Sequence, residues 1–235
     1  SGGRKTVAVG AAGERMIAYT HGPAMLDQPG TRLGRIAGNP FHEAITEAAR
    51  RAGLRFIVNA VLDEEHRVVA VRAGDPEAAF AELVAIARQL YEVPVPQQYD
   101  VAVAGVGFPK DANLYQASRA ASYLQFAPTP VVRKGGFILV PAPCQEGPGE
   151  GVGEQRFFRA LREAESPQAL VEQVRREGLQ PGAQRAYVMA RQAKMIPAAT
   201  IEEALRLVQE HLGPSLDVLV VPHALLTLPI VTGQG

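Results

Sequence analysis

The sequence predicts an α/β protein with a doubly wound, mostly parallel sheet and an antiparallel hairpin at the sheet edge. Helical patterns alternate with short β-branched runs along most of the chain, which is the order of elements that builds parallel sheets. Residues 100–147 contain the patterns of a strand, a loop, a helix and a second strand in unbroken succession. Ligands bind beyond the carboxyl ends of strands in such sheets, so we expect functional groups in the loops that follow.

The predicted strand at residues 100–104 alternates valine and alanine, which suits a strand covered on both faces. Gly105 and Gly107 follow it, and we expect them to let the backbone turn and approach a ligand closely. The next strand is predicted at residues 137–141, after a tight turn at residues 135–136. The loops that follow the two strands should therefore lie at one edge of the sheet.

Residues 114–125 repeat apolar side chains at helical spacing, which predicts a helix that packs one face on the sheet. The opposite face carries Tyr115, Gln116 and Arg119, and the last two lie three residues apart, as neighbours one turn up the helix. A guanidinium beside an amide and a phenol suits a small carboxylate or hydroxy acid, because the guanidinium can pair bidentately. The alternative is a polar helix face that is merely solvated.

The remaining elements follow from caps and periodicity. Further helices are predicted at residues 39–51, 75–90, 154–163, 167–177 and 182–193 and after Thr200. Asn39 and Pro40 supply a cap and a first residue to the earliest of these helices. The predicted hairpin joins residues 54–62 to residues 68–71, residues 93–98 form a proline-bearing linker, and residues 216–221 form the last strand.

Composition excludes several classes of function. Lys plus Arg and Asp plus Glu both number 24, so no net charge favours nucleic acid or an anionic membrane. No run of about 18 apolar residues is present, so we expect no membrane span. The single cysteine, Cys144, rules out an internal disulfide framework and is compatible with a reducing cytoplasm, where we expect the protein to act.

The residues alone also suggest two other functions, dinucleotide binding and nucleophilic catalysis by a cysteine. Gly105-Val106-Gly107 before a helix could be part of a dinucleotide fingerprint, but the third glycine and the ribose-binding acid are absent. Cys144 could be a nucleophile with His42 or His223 as its base, although a small buried residue before a glycine loop is the simpler interpretation. The histidines do not fall at paired metal-ligand spacings, so no closed protein-only metal site is predicted.

Several motifs, taken in chain order, resemble the nickel-dependent lactate racemase family. They are GGRK at residues 2–5, His21, RLGRIAGNP at residues 32–40, FPKDANLYQ at residues 108–116, the glycine pair at residues 135–136 and CQEG at residues 144–147. The similarity extends over residues 5–229 and is specific for the family rather than for lactate. It implies the C-terminal portion of such a protein, with residues 1–235 as one α/β domain and residues 1–38 as its cofactor-site segment.

The resemblance implies a cofactor. Members of the family hold a nickel pincer nucleotide, a pyridinium-3,5-bisthiocarboxylic acid mononucleotide, which is attached through a lysine and whose nickel is also bound by a histidine. Lys5 and His21 stand at the matching positions. An amine can form a thioamide with a thiocarboxylate, and imidazole is a good nickel ligand.

The resemblance also implies a substrate site. Tyr115 and Gln116 match the family's substrate-side pair, and Arg119 stands where a lysine is usual. Gln184 and Arg185 replace a histidine–lysine pair of the family. Arg119 keeps the positive charge and changes its geometry, so we expect carboxylate binding with a different substrate preference. The replacement at residues 184–185 also bears on which substrate is bound.

The implied activity is that of an isomerase, a racemase or epimerase of 2-hydroxy acids. In the family, a hydride moves from the α-carbon to the cofactor and returns to either face, with two histidines as acid and base. Those histidines lie upstream of the lysine, so we expect a missing N-terminal domain to supply them, no catalytic residue here and an inactive chain by itself. The competing hypothesis is a non-catalytic homologue that binds a small carboxylate or a nucleotide.

Overall fold

The computed structural model describes residues 2–11, 13–180, 182–191 and 193–233. The chain divides into two compact units, Ser1–Glu92 and Val93–Gly235. The boundary between the units falls at the start of the segment that the sequence analysis expects to be a linker. Among the helices of the described ranges, none is both long and apolar enough to cross a membrane.

The first unit packs helices against a two-stranded hairpin. Its helices are α1 (Gly2–Lys5), a π-helical turn (Thr6–Gly10), α2 (Glu14–His21), α3 (Pro23–Leu26), α4 (Pro40–Arg51) and α5 (Pro76–Tyr91), and its strands are β1 (Ile57–Leu62) and β2 (Val68–Gly74). The predicted hairpin is confirmed as antiparallel, and it forms a sheet of its own instead of extending the parallel sheet. Its buried face includes Ile57 and Val61, and α5 packs against both of its strands.

Local capping explains where α4 and α5 begin. The Asn39 side chain accepts hydrogen bonds from the backbone N–H groups of Phe41 (3.0 Å) and His42 (3.4 Å), as the Asn-Pro pair predicts. Asp75 caps α5 in the same way. Each cap satisfies N–H groups that have no partner within the helix, so both starts are determined by local sequence.

The second unit contains the parallel sheet. Its elements are β3 (Glu92–Val95), β4 (Tyr99–Ala104), α6 (Leu114–Gln125), β5 (Val132–Leu139), α7 (Val152–Glu163), α8 (Pro167–Glu177), α9 (Gln184–Ala190), α10 (Ile201–Leu212), β6 (Val218–Val221) and β7 (Leu228–Val231). The strand β4 lies between β5 and β6 and runs parallel to both. Val101 and Ala102 point to opposite faces and both are 0% exposed, so the sheet is covered on both sides. The α/β class with a parallel sheet is therefore confirmed.

Two parts of the second unit differ from the sequence prediction. Residues 93–98 are not simply a linker, because β3 pairs there with β7, a strand that the sequence pattern does not predict. The glycines of residues 135–136 lie inside β5 instead of in a turn before it. Tyr99 pairs with Val132 and Val101 pairs with Phe137, so β5 bulges at the glycines.

The end of β4 is packed against the chain itself. Gly105 donates its N–H to the Val221 carbonyl (2.9 Å) and accepts from the Ala224 N–H (3.0 Å). A Cβ at position 105 would lie 2.2 Å from the Pro222 carbonyl oxygen. The expectation that Gly105 admits a ligand is therefore wrong, since the loop after β6 already occupies that space.

Substitution of Gly105 by alanine is expected to lower the free energy of unfolding by about 1–3 kcal/mol, because the new methyl group overlaps backbone that cannot move cheaply. Urea unfolding followed by circular dichroism measures the change. Gly153→Ala is the matched control, because nothing lies within 4 Å of its Cβ position. An unchanged midpoint for Gly105→Ala would contradict the close packing described above.

Candidate functional site

The residues suggested by the resemblance form two sets, one in each compact unit. Lys5 and His21 belong to Ser1–Glu92, whereas Tyr115, Gln116 and Arg119 belong to Val93–Gly235. Each set is described in turn. Within the described ranges, no three His, Cys, Asp or Glu side chains are grouped so as to hold a metal ion.

Lys5 is the last residue of α1 and its side chain is exposed. Its ammonium group makes no hydrogen bond or ion pair with any residue that the structure describes. The preceding Arg4 is only 3% exposed, donates from Nη1 to Thr46 Oγ1 (2.9 Å) and stacks on the Phe80 ring at 4.1 Å. Arg4 therefore anchors the short helix, and the amine of Lys5 remains available.

His21 ends α2 and is half-buried. Its Nδ1 lies 3.3 Å from the Ile17 carbonyl oxygen and 3.0 Å from Thr20 Oγ1, and its ring meets the Phe41 ring edge-on. A carbonyl only accepts hydrogen bonds, so the neutral ring carries its proton on Nδ1. Nε2 then keeps its lone pair, which is the form of imidazole that binds a metal.

Burial is the main cause of a lowered pKa for His21, and the positive charge of Lys5 lowers it further, against the opposing effect of the hydrogen bond to Ile17. The imidazole is therefore harder to protonate in this environment than in water. An exposed amine and a half-buried imidazole thus belong to the same compact unit.

The pKa of His21 predicts a pH dependence of stability. Since the folded pKa is depressed, the unfolded chain binds more protons below about pH 6.5, and stability should fall as the pH drops from there through the folded pKa. In urea unfolding at pH 7.5, 6.5 and 5.5, wild-type protein should lose more stability than His21→Gln. His66→Gln, in an exposed turn, serves as the control and should follow wild type. Equal losses in all three proteins would contradict the assignment.

In the second unit, the loops after β4 and β5 are joined backbone to backbone. Cys144 donates its N–H to the Asp111 carbonyl (3.1 Å), and Glu146 donates to that of Ala112 (2.8 Å). Leu114 in turn donates to the Gly147 carbonyl (2.9 Å). These bonds fix the start of α6 at the carboxyl edge of the sheet, where the sequence predicts the functional loops.

The thiol of Cys144 is poorly suited to nucleophilic chemistry. Burial raises its pKa, and the nearby carboxylate of Asp111 raises it further. Because the thiolate is the reactive form, a raised pKa leaves little nucleophile at neutral pH. The backbone hydrogen bonds between this segment and the loop after β4 give it a structural role instead.

The polar face of α6 forms a connected set. Arg119 donates from Nη1 to Gln116 Oε1 (3.2 Å) and from Nη2 to the Tyr123 hydroxyl (3.0 Å). Tyr115 packs edge-on against the Phe157 ring at 5.4 Å between centroids. Asn113 accepts from the Gln116 N–H (3.0 Å) and caps the helix. The contact between Gln116 and Arg119 therefore follows the predicted spacing, and the amide holds the guanidinium in place.

Arg185 approaches the same helix from α9. Its Nε and Nη2 donate to Ser118 Oγ at 3.3 and 3.1 Å. Burial lowers the pKa of Arg185 to about 10, and the charge of Arg119 adds to the decrease while Tyr115 and Tyr123 oppose it. The guanidinium is therefore held against Ser118, a buried residue of α6.

Sequence reasoning missed two residues of this set. Tyr123 lies four residues after Arg119, so helical spacing could have identified it. Ser118 is a buried serine and carries no sequence signal for its contact with Arg185, which is 67 residues away.

Comparison with known proteins agrees with this placement of elements. The family described as lactate racemase C-terminal domain matches residues 96–184. Lactate racemase of Lactiplantibacillus plantarum is 33% identical over 174 residues, which cover 74% of this chain and 39% of the relative. The chain therefore belongs to the lactate racemase family. Its match to that family covers the C-terminal portion.

Other members of the lactate racemase family give the same result. Lactate racemase of Thermoanaerobacterium thermosaccharolyticum is 30% identical over 178 residues, covering 76% of this chain and 40% of the relative. The solved apoprotein structure of a lactate racemase from that organism superposes with a TM-score of 0.83 at 26% identity, over 98% of this chain and 59% of the other. A Thermotoga maritima structure, with a TM-score of 0.64 and 18% identity over 99% of this chain and 63% of the other, shares the fold. The chain spans about two fifths of the length of the curated relatives it matches.

Proposed function

We propose that the chain is the C-terminal part of a racemase or epimerase of 2-hydroxy acids that depends on a nickel pincer nucleotide. Family membership supports an isomerase, since both curated relatives are named lactate racemase. The proposal is supported by two side chains of the same compact unit: Lys5, whose amine has no partner among the described residues, and His21, whose Nδ1 lies 3.3 Å from the Ile17 carbonyl oxygen and leaves Nε2 available for a metal. Neither side chain has a structural task that would require its reactive atom.

Both side chains fit this cofactor. Lys5 is exposed and without a partner in the part of the chain that the structure describes, so its amine can form a thioamide with a thiocarboxylate. His21 presents a neutral imidazole with its lone pair on Nε2, which suits Ni²⁺. Thr20 and Ile17 hold the ring in this tautomer, as outer-shell groups do for metal ligands generally. The bound cofactor would supply an acceptor for the hydride of the substrate α-carbon and return it.

The chain's own contribution to the substrate is binding and orientation. The guanidinium of Arg119 binds the carboxylate, because its planar fork matches two carboxylate oxygens. Gln116 and Tyr123 hold the Arg119 guanidinium from two sides. The side chain therefore has less conformational freedom to lose when the substrate binds. The Tyr115 ring is fixed against Phe157, so its hydroxyl can orient the hydroxy acid from a defined position.

Mass spectrometry tests the proposal directly. Protein produced together with the cofactor's biosynthetic enzymes should show a stable adduct on the peptide that contains Lys5, and nickel in stoichiometric amount by elemental analysis. The thioamide and the His21 ligand predict that both appear together. An unmodified Lys5 without nickel would reject the enzyme and favour a non-catalytic homologue that binds a small carboxylate or a nucleotide.

A further inference from the structure

Two guanidinium groups are anchored at adjacent positions of α6. Arg119 belongs to that helix, and Arg185 reaches Ser118, the residue before it, from α9. Ser118 is only 3% exposed, and its Oγ donates to the Tyr115 carbonyl (2.9 Å) while accepting from Arg185. The serine therefore fixes one side of the Arg185 guanidinium, and Nη1 makes no hydrogen bond with any residue that the structure describes.

Neither guanidinium has a carboxylate partner among the residues that the structure describes. Arg119 bonds to an amide and a phenol, and Arg185 bonds to a hydroxyl. Elsewhere in the same unit, an arginine such as Arg133 is neutralised by two carboxylates, Asp100 and Asp217, each at 2.7 Å. Like charges without a counter-charge are unfavourable. Burial is the main cause of the lowered pKa of Arg185, and the positive charge of Arg119 lowers it further.

The number of charges determines what the site can bind. A substrate with one carboxylate supplies one negative charge, which a single bidentate guanidinium already satisfies. Two guanidinium groups anchored at adjacent positions of one helix are matched by two anionic groups on one small molecule. A buried positive charge that stays unpaired after substrate binds would cost affinity instead of adding to it.

We infer that Arg185 binds a second carboxylate of the substrate, so that the preferred substrate is a 2-hydroxy dicarboxylic acid of the malate type and not a monocarboxylic acid such as lactate. This inference rests on the proposed function for the role of Arg119. Arg185 is then a specificity-determining residue, since it touches a group that only the dicarboxylate carries. Arg119 remains common to both substrates.

The test compares malate with lactate in the cofactor-loaded full-length protein, which includes the N-terminal domain expected to supply the acid and base histidines. The wild type should racemise malate with a kcat/KM about 30-fold or more above that for lactate. Arg185→Gln should reduce kcat/KM for malate by about 30-fold or more and change that for lactate by less than about threefold, with the malate loss expressed mainly in KM. Arg185→Lys should restore part of the malate activity, because it keeps the charge.

Arg206→Gln is the matched control, since it removes an exposed guanidinium on α10, paired only with Glu210. It should leave both substrates unaffected. A wild type that prefers lactate, or an Arg185→Gln variant that loses both substrates equally, overturns the inference. If Arg185→Gln fails to fold, the wild-type preference and the Arg185→Lys variant decide.

Equilibrium binding separates this inference from the proposed function. Calorimetric titration of malate and lactate into protein without cofactor should show tighter binding of malate, by about tenfold or more. An unmodified Lys5 with that preference intact rejects the racemase and leaves the dicarboxylate site in place. A modified Lys5 with equal binding of both acids rejects the dicarboxylate site alone.

Discussion

Replacement of Lys5 by arginine is expected to abolish turnover of the cofactor-loaded full-length enzyme, by about three orders of magnitude or more. Arginine keeps the positive charge but has no amine that can form a thioamide, so the cofactor should be lost on dialysis. Nothing in the described structure holds the Lys5 ammonium, so the fold should tolerate the change. Racemisation of each substrate enantiomer, followed by polarimetry or chiral chromatography, measures the loss.

Lys134→Arg provides the matched control, because Lys134 is an exposed lysine on β5. It should retain wild-type turnover and bound nickel. If Lys5→Arg keeps its nickel and racemises substrate normally, the covalent attachment is assigned to the wrong residue. The proposal predicts that Lys5→Arg lowers the nickel content of the protein and leaves the midpoint of urea unfolding unchanged.

Arg119→Gln should lower kcat/KM by about 30-fold to 1,000-fold for any 2-hydroxy acid that the enzyme accepts. The substitution removes the charged fork that is assigned to the substrate carboxylate, and it also leaves Gln116 and Tyr123 without their partner. Arg119→Lys should lose less, because it retains the charge without the planar geometry. Steady-state kinetics with both enantiomers of the substrate give the values.

The exposed Arg206→Gln variant again serves as control and should behave as wild type. A polar helix face that is merely solvated would predict no effect from either substitution of Arg119. An effect on lactate and malate alike distinguishes Arg119 from Arg185, whose loss should affect only the dicarboxylate.

Elements with local signals were predicted closely. The helix α6 begins and ends as its periodicity indicates, because Asn113 caps it and the apolar repeat continues to its last turn. The same holds for α4, where Asn39 and Pro40 define the start. These signals depend on residues within a few positions of one another, so they can be recognised without knowing the rest of the fold.

Elements that depend on distant partners were not predicted. The glycines at residues 135–136 look like a turn, but a Cβ at Gly136 would lie 2.5 Å from the Asp100 carbonyl oxygen, so close contact between strands explains the glycine. The strand β7 is short and contains a proline, and its pairing with β3 is not visible in its own sequence. Both features are determined by the neighbouring chain.

The residues of the candidate site also differ in whether local sequence could predict their positions. Spacing on one helix predicts the contact between Gln116 and Arg119, whereas the roles of Lys5 and His21 depend on family resemblance and stay predictions. The position of Arg185 against Ser118 could not be inferred, because it requires the packing of α9 on α6. The proposed role of Arg185 in substrate specificity depends on that packing.

The backbone ladder between residues 111–114 and residues 144–147 has a practical consequence for protein engineering. Grafting α6 alone into another member of the family would remove the backbone hydrogen bonds that hold its first turn in place. Transplantation of substrate preference should therefore succeed only when both segments are exchanged as one cassette, because the hydrogen bonds between them join backbone groups of both.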